Sequence, residues 1–316
     1  MRNISLDVMK IILALMVVGI HTSFLADFSQ VVSYVFNQGL FRIAVPIFFV
    51  VNGYYFFIAL QSGKAKDWIT KILALYIVWT IAYVFYWFDL GDKSIIDAAK
   101  LIHTVIFGYF HLWYLPAAIG AAGLVYFFKE LPAQIFLVIL FFAFTCGVLI
   151  QYFGNYHLMS PPYLDKILNM GWVYRNFIFS GFPFFGAGYL LARHLVESKL
   201  TLKQSALISA VGVVCVFSEA YINYTLIGKS ESFDLLVSLA IAAPFIFILF
   251  KKINVVGHGR TLSLYASGIY FVHPLLMYIV WSYGFRATSL TVTVIFFSAL
   301  ATTVLIALNR KLKFIL

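Results

Sequence analysis

Three ionisable residues lie in an apolar segment at the start of the chain, and their spacing suits acid–base chemistry inside a membrane. Asp7, Lys10 and His21 fall within the stretch 4–25. On a helix with 3.6 residues per turn, Lys10 and His21 share one face about 16 Å apart, with Asp7 close to that face. Ionisable groups are costly inside a bilayer and usually face a cavity or a partner. The spacing therefore predicts a reaction path along this helix, with His21 as general base, unless His21 simply bonds a neighbouring helix.

Further candidate residues lie in short motifs farther along the chain. The stretches HLWYLP at 111–116 and YFVHP at 270–274 each place a histidine beside aromatic residues or proline. Either histidine can equally be a hydrogen-bonded core residue. Arg42 and Arg175 have two possible roles. They can bind an anionic or sugar ligand, or they can anchor the protein at the membrane interface with the guanidinium among the lipid headgroups. Glu219 lies in the middle of an apolar segment and needs a partner or a cavity, which the sequence does not identify.

A basic loop supplies a candidate site for phosphate groups. Lys64, Lys66 and Lys71 surround Trp68 just after an apolar segment. Lysine ammonium groups bind phosphates as point charges. The same lysines also fit a purely topological role as positive charges beside a membrane span. The two cysteines lie in apolar runs without a disulfide or metal-ligand motif, so no metal site is predicted.

The composition identifies the elements that must hold these residues as membrane helices. Of the 316 residues, 63% are hydrophobic and 11% are charged, and the mean hydropathy is +0.96. A soluble domain of this size cannot bury so much apolar surface. The chain also lacks the P-loop, GxSxG, HExxH and paired CxxC signatures of common soluble enzymes and metal sites.

The apolar segments predict an all-α, polytopic membrane helical bundle with about ten transmembrane helices. Each segment is close to the roughly 20 residues that a helix needs to cross a bilayer. The ten predicted spans cover residues 5–26, 41–61, 69–88, 104–128, 133–153, 175–193, 204–225, 233–250, 262–283 and 289–309. The fourth is expected to begin as an interfacial turn near residues 108–111.

Charge placement predicts the orientation of this bundle. If the N-terminus lies inside the cell, seven of the 22 Lys and Arg residues fall on the outer side: Arg42, Lys93, Lys100, Lys166, Arg175, Lys229 and Arg286. The other fifteen lie on the inner side, as the positive-inside rule requires. With ten spans both termini are cytoplasmic. The net charge of +10 is thus explained by topology rather than by nucleic-acid binding, although a basic inner face also attracts anionic cytosolic substrates.

The ordered series of motifs resembles the acyltransferase-3 family of bacterial integral membrane acyltransferases. The motifs are LDVMK at 6–10, His21, VPIFF at 45–49, NGY at 52–54, HLWYL at 111–115, RNF at 175–177, GFPFF at 181–185 and GIYFVHP at 268–274. They extend over essentially the whole chain. The sequence departs from the family in having Lys10 where arginine is common and Asn52 where serine is common. Lysine keeps the charge but not the bidentate geometry of arginine.

The resemblance implies a function and a location. Family members have about ten core helices and transfer an acyl group, usually acetyl from cytosolic acetyl-CoA, onto a hydroxyl of a cell-envelope glycan. The chain is accordingly expected to be a single transmembrane acyltransferase domain, 1–316, without a fused soluble domain. It would lie in the bacterial inner membrane and contact acetyl-CoA, the glycan acceptor and the lipid bilayer, with neither metal nor nucleic acid.

The expected site residues fall into three groups. The catalytic group, with His21 as general base or acyl carrier, is His21, Lys10 and Asp7. The donor-binding group is Lys64, Lys66 and Lys71, to which Arg260 is a possible addition. The acceptor-binding group is Arg42, His111, Trp113, Tyr114, Arg175 and His273. The sequence leaves open the acceptor, the acyl length, the oligomeric state and whether an acyl-enzyme forms.

Two other classes of protein compete with the enzyme. A transporter or flippase of envelope glycans or lipid intermediates also needs charges inside the membrane. However, the sequence has no inverted repeat and no pair of broken helices, which are typical of such transporters. A non-catalytic scaffold does not explain why Asp7, Lys10 and His21 follow one helix face.

Overall fold

The computed structural model describes residues 2–88, 94–312 and 314–316. Two residues used in the charge assignment, Lys93 and Lys313, lie outside these ranges. The first helices are α1 (Ile4–Thr22), α2 (Gln30–Asn37), α3 (Ala44–Gln61), α4 (Ala65–Ala82), α5 (Val84–Trp87), α6 (Ile95–Phe107), α7 (Tyr114–Phe128) and α8 (Ala133–Asn155). They are followed by α9 (Pro162–Leu168), α10 (Gly171–Tyr174), α11 (Phe182–Arg193), α12 (Val196–Lys199), α13 (Leu202–Ile227), α14 (Leu239–Ile253), α15 (Thr261–Ser282) and α16 (Ala287–Asn309).

The fold is an all-α membrane helical bundle, as the sequence predicts. Seven helical segments of the described chain are long and apolar enough to cross a membrane: Ile4–Thr22, Gln30–Gln61, Phe110–Phe128, Ala133–Asn155, Leu202–Ile227, Thr261–Ser282 and Ala287–Asn309. The three other predicted spans coincide with the shorter or more polar helices α4, α11 and α14. The count of ten and the cytoplasmic side of the termini stay predictions.

Backbone contact between two helices forms the centre of the bundle. A Cβ added to Gly53 of α3 would lie 1.8 Å from the carbonyl oxygen of Phe185 in α11. A Cβ added to Gly188 would lie 2.0 Å from the carbonyl oxygen of Val50. Small residues allow membrane helices to approach this closely and to gain dispersion energy in place of a hydrophobic driving force. The two glycines thus fix α3, which carries several of the residues described below.

Three helices start later than the apolar pattern alone predicts, because a turn or an irregular segment precedes each of them. Gly108, at φ +87°, ends α6, and a 3₁₀ turn at Phe110–Trp113 precedes α7. The side chain of Asn176 accepts hydrogen bonds from the N–H groups of residues 178 and 179, and a π-helical turn at Phe177–Gly181 leads into α11. The third case is α14, which begins at Leu239 instead of residue 233.

Glu219 explains the late start of α14 and is a structural residue. Its carboxylate accepts hydrogen bonds from the backbone N–H groups of Val237 (2.7 Å) and Ser238 (2.9 Å) and from the Ser238 hydroxyl (2.6 Å). The Tyr152 hydroxyl donates a fourth. A negative charge at a helix N-terminus satisfies free N–H groups and complements the helix dipole. The partner that the sequence left open is thus the start of α14.

Candidate functional site

An ion-pair triad stands at the N-terminal end of α1. The guanidinium of Arg2 donates two hydrogen bonds to the buried Asp7 carboxylate, one of them at 2.9 Å from Nη2 to Oδ1. The ammonium of Lys10 lies 3.7 Å from Asp7 Oδ1. The hydrogen bond with Asp7 raises the pKa of Arg2, so this guanidinium stays charged. Two cations share one carboxylate, and the triad therefore keeps a net positive charge.

A large cavity opens beside this triad. It has a volume of about 1020 Å³, and its lining includes Arg2, Asp7, Lys10, Tyr55, Lys251 and Arg260. Strands β1 (Arg2–Asn3) and β2 (Val256–Gly257) pair beside it, and the Asn3 amide donates to the Lys251 carbonyl oxygen at 3.0 Å. This pairing ties the N-terminus to the loop before α15. We call this cavity, with its four basic side chains, the basic cavity.

A second, narrower cavity leads from the basic cavity into the bundle. Its volume is about 290 Å³, and its lining shares Lys10 and Tyr55 with the basic cavity. Lys71 is its other lysine, and most of its remaining lining is apolar or aromatic, including Tyr114 and Tyr270. The Asn52 side-chain amide donates a hydrogen bond to the Tyr114 hydroxyl within it. We call it the narrow cavity.

Three histidine rings form a cluster beyond the end of the narrow cavity, in which His111 and His273 are buried and His21 is half-buried. The ring of His273 lies 5.4 Å from that of His21 and 5.3 Å from that of His111, measured between centroids. Tyr270 connects this cluster to the narrow cavity, because its ring is 5.4 Å from His111 and its hydroxyl donates to the His111 carbonyl oxygen at 2.6 Å. In the described part of the chain, no group of three His, Cys, Asp or Glu side chains is arranged to hold a metal ion.

The His273-Pro274 dipeptide sets the protonation of the His273 ring. Pro274 has no N–H group, so the carbonyl of Tyr270, four residues earlier, loses its helical donor. His273 Nδ1 lies 2.8 Å from that carbonyl oxygen. Because a carbonyl only accepts, Nδ1 carries the proton and Nε2 does not. Nε2 is buried and has no hydrogen-bond partner among the described residues, so it can accept a proton within the cluster.

Two cavities reach His21 from the end of the bundle opposite the basic cavity. The first, the Arg175 cavity, has a volume of about 50 Å³, and its lining includes His21, Arg42, Trp113, Arg175 and Asp234. The second, the Trp281 cavity, has a volume of about 380 Å³, and its lining includes His21, Ser23, Met277, Trp281, Arg286 and Leu290. His21 thus stands between the narrow cavity on one side and both of these cavities on the other.

Two arginines of the Arg175 cavity differ in how much of their bonding capacity is used. Arg42 is half-buried and pairs with Asp234. It also donates to the Asn37 carbonyl (3.0 Å), the Gln38 amide oxygen and the Ser232 hydroxyl (2.7 Å). Arg175 is more exposed, lies 3.7 Å from Asp234 and covers the Trp113 ring at 5.3 Å. Arg42 therefore holds the surrounding loops together, whereas Arg175 keeps donors for other partners.

Comparison with known proteins identifies the family. The profile of the acyltransferase-3 family, described as an acyltransferase domain, matches residues 3–308. The chain belongs to the acyltransferase-3 family.

Curated relatives of this family member carry other names. Over 299 residues it is 26% identical to a serine/alanine racemase of Enterococcus gallinarum, covering 87% of this chain and 41% of the relative. Over 300 residues it is 25% identical to an amino-acid racemase of Enterococcus faecalis, covering 89% of this chain and 42% of the relative. The chain thus spans about two-fifths of the length of these relatives. No solved structure matches it.

The structure gathers many of the predicted site residues of this acyltransferase-3 protein but separates others. His21, His111 and His273 lie together, and Lys71 lines the narrow cavity. Tyr114 lines the narrow cavity too, although its neighbour Trp113 lines the Arg175 cavity, because the two residues stand at the turn into α7. Lys64 and Lys66 are exposed and line none of the cavities described above.

Sequence reasoning missed five residues that line these cavities: Arg2, Tyr55, Lys251, Trp281 and Arg286. The cations among them were counted only toward topology, and an exposed tryptophan near a span end is typical of any membrane interface. One signal was available for Arg2, which precedes the unusual Asp7 by five residues. The other four depend on contacts between distant segments.

Proposed function

We propose that this protein is a membrane O-acyltransferase. It moves acetyl from acetyl-CoA, bound at the basic end, to a hydroxyl of a cell-envelope polysaccharide or its lipid-linked precursor, bound at the opposite end. One observation carries the proposal, namely that the cavity linings form a continuous series through the bundle. Lys10 and Tyr55 belong to both cavities of the basic end, Tyr270 connects the narrow cavity to the histidine cluster, and His21 lines both opposite cavities.

The shapes and charges of the two basic-end cavities suit the two parts of CoA. Sites for small molecules typically measure about 300–1,000 Å³, and the basic cavity, at about 1020 Å³, has room for a nucleotide. Arg2, Lys251 and Arg260 supply the charge that phosphates attract. The narrow cavity suits the thin pantetheine arm, with Lys71 beside it. The thioester then lies near Tyr270, one ring away from the histidines.

His21 acts on the acceptor in one of two ways. As a general base, it takes the hydroxyl proton while the oxygen attacks the thioester carbonyl carbon. The C–S bond breaks, and the departing CoA thiolate takes the proton back from the imidazolium. As an acyl carrier, a ring nitrogen of His21 first attacks the thioester carbonyl carbon, the C–S bond breaks, and the CoA thiolate leaves with the proton of the ring. The hydroxyl oxygen then attacks the acetyl carbonyl carbon, the C–N bond breaks, and the hydroxyl proton returns to the imidazole. His273 Nε2 is available to accept a proton in either route.

The ion-pair triad has a positioning role in this proposal. Asp7 holds Arg2 and Lys10 at the junction of the basic and narrow cavities, where the pyrophosphate of the donor would pass. By the positive-inside rule the basic end faces the cytoplasm, where acetyl-CoA is present. The proposed location is the inner membrane. The acceptor then approaches from the other side of that membrane.

Sealed vesicles of opposite orientation test the proposal. Inside-out vesicles from cells expressing the protein should incorporate label from [¹⁴C]acetyl-CoA into envelope glycan as alkali-labile acetyl, because the basic end faces the added donor. Right-side-out vesicles should remain unlabelled until they are permeabilised. Vesicles from cells without the protein serve as the control.

Three outcomes would contradict parts of the proposal. Labelling of intact right-side-out vesicles would reverse the orientation. Label recovered in O-acetylserine after addition of L-serine, but not in glycan, would replace the acceptor by a small molecule of the kind named by the racemase relatives. Absence of label in every vesicle, together with donor-independent movement of glycan or lipid intermediates, would instead favour the transporter.

A further inference from the structure

We propose that the glycan acceptor binds in the Trp281 cavity, with a sugar ring stacked on the Trp281 indole and its hydroxyls facing Arg286 and Ser23. This inference rests on the proposed function and names the acceptor site within it. The sequence points to the other cavity, through Arg42, Arg175 and Trp113. Both cavities reach His21, so their sizes and free bonding groups decide between them.

Size favours the Trp281 cavity. The Arg175 cavity measures about 50 Å³, which is the room that about one or two water molecules take up. A sugar ring does not fit without moving the half-buried Arg42 and Asp234, whose ion pair holds two loops together. The Trp281 cavity measures about 380 Å³, within the range of about 300–1,000 Å³ for small-molecule sites.

The lining of the Trp281 cavity has the chemistry that a sugar needs. The guanidinium of Arg286 lies 4.3 Å from the centre of the Trp281 ring, and its Nη1 donates to the carbonyl oxygens of Trp281 and Phe285, both at 2.7 Å. These contacts hold the indole in place, and Trp281 is still 53% exposed. Nε and Nη2 of Arg286 make no hydrogen bonds with the described residues, and neither does the Ser23 hydroxyl, so these groups are available to sugar oxygens.

The position of this cavity fits an acceptor of the membrane surface. Trp281 lies in the last turn of α15, and Arg286 comes directly before α16. Trp281 is 53% exposed, so the cavity opens at the rim of the bundle, and its lining also includes His21 and the buried Leu290. A glycan chain can therefore remain outside while a single ring reaches His21. Aromatic faces with a few polar groups are typical of such sites.

The test compares tryptophan variants in the inside-out vesicles described above. Trp281→Ala should lower glycan labelling at least about tenfold, the effect expected for loss of an aromatic anchor. The shift in melting temperature that CoA causes in purified protein should stay unchanged, since the basic cavity is untouched. Trp281→Phe should keep most of the labelling, because it retains a stacking face. Trp172→Ala, which removes another half-exposed tryptophan (45%) outside the described cavities, is the matched control.

The remaining outcomes overturn the inference. Normal labelling by Trp281→Ala together with loss by Trp113→Ala would place the acceptor in the Arg175 cavity. Loss of both labelling and the CoA-induced shift in Trp281→Ala would mean that this tryptophan supports the fold instead of the acceptor. Unlabelled wild-type vesicles would overturn the proposed function itself, which distinguishes that failure from a failure of this site.

Discussion

Two regions of the bundle contain ionisable groups between membrane helices. In one region these groups are fully hydrogen-bonded, and in the other they keep nitrogen atoms without a hydrogen bond in the described chain. At the start of α14, both carboxylate oxygens of Glu219 are bonded, by Tyr152, Val237 and Ser238. In the histidine cluster, His273 Nε2 and both ring nitrogens of His111 have no hydrogen-bond partner among the described residues. His21 lines two cavities in the same cluster.

The difference shows how the free-energy cost of burying an ionisable group relates to the role of that group. When a buried polar group is fully hydrogen-bonded, its hydrogen bonds offset the free energy of desolvation. Removing that group leaves its partners unsatisfied and destabilises the fold. A group with open bonding capacity beside a cavity contributes little stability and is available to a ligand. The comparison therefore separates residues that support the fold from residues that carry the reaction, and each variant below tests that separation.

The largest effect is expected for His21→Ala. Loss of the general base should reduce acetyl transfer by about a hundredfold or more, because no other described histidine lines the two opposite cavities. The melting temperature of the purified variant should stay close to that of the wild type. Undiminished labelling at matched protein level would show that His21 takes no part in the reaction. A large loss of stability would show that His21, like Glu219, supports the fold.

Glu219→Ala should show the opposite pattern. It leaves two backbone N–H groups and two hydroxyls without their acceptor, which should lower the free energy of unfolding by about 2–4 kcal/mol. Thermal unfolding in detergent measures this loss. The transfer rate per folded molecule should stay within about threefold of the wild type, since Glu219 lines none of the described cavities. A stable but inactive variant would show that this carboxylate takes part in the reaction.

Lys71→Ala extends the comparison to the lysines of the predicted donor site. Lys71 lines the narrow cavity, whereas Lys64 is exposed outside it. Loss of this polar contact with the donor in the narrow cavity should raise the KM for acetyl-CoA by about tenfold and leave kcat nearly unchanged. Initial rates against donor concentration measure both parameters, with Lys64→Ala as the matched control. Equal effects of the two variants would mean that the overall positive charge of this end of the protein attracts the donor, and that a specific contact in the narrow cavity does not.

The smallest effect is expected from an exposed ion pair in the loop after α8. The hydrogen bond with Asp165, at 2.8 Å, raises the pKa of His157, and Glu231 lies 3.9 Å away. Because the folded pKa is above the unfolded value, the contact contributes fully below about pH 6.5 and is lost as the pH rises through the folded pKa. The protection factors of residues 156–170, which correct hydrogen exchange for the pH dependence of the intrinsic amide rate, should therefore fall toward pH 8. The variant His157→Gln should abolish this dependence, and an unchanged profile would assign it to another group.

Much of the fold could be predicted from the sequence because lipid imposes a local rule. Each span must satisfy its own backbone hydrogen bonds, so apolar segments of about 20 residues read as helices. The turn before α7 was predicted for the same kind of reason, since Gly108 ends α6. The start of α14 was not, because its free N–H groups are bonded by Glu219 and Gln151, which lie in other helices.

The candidate site divides in the same way. The sequence by itself determined that Lys10 and His21 share one helix face and that the family's motifs are present, since helical periodicity and residue identity are properties of a single segment. Only the tertiary structure decided which cavities these residues line, that His273 and His111 join His21, and that Trp281 stands at the wider entrance. These facts depend on the packing of α1 against distant helices, which no single segment encodes.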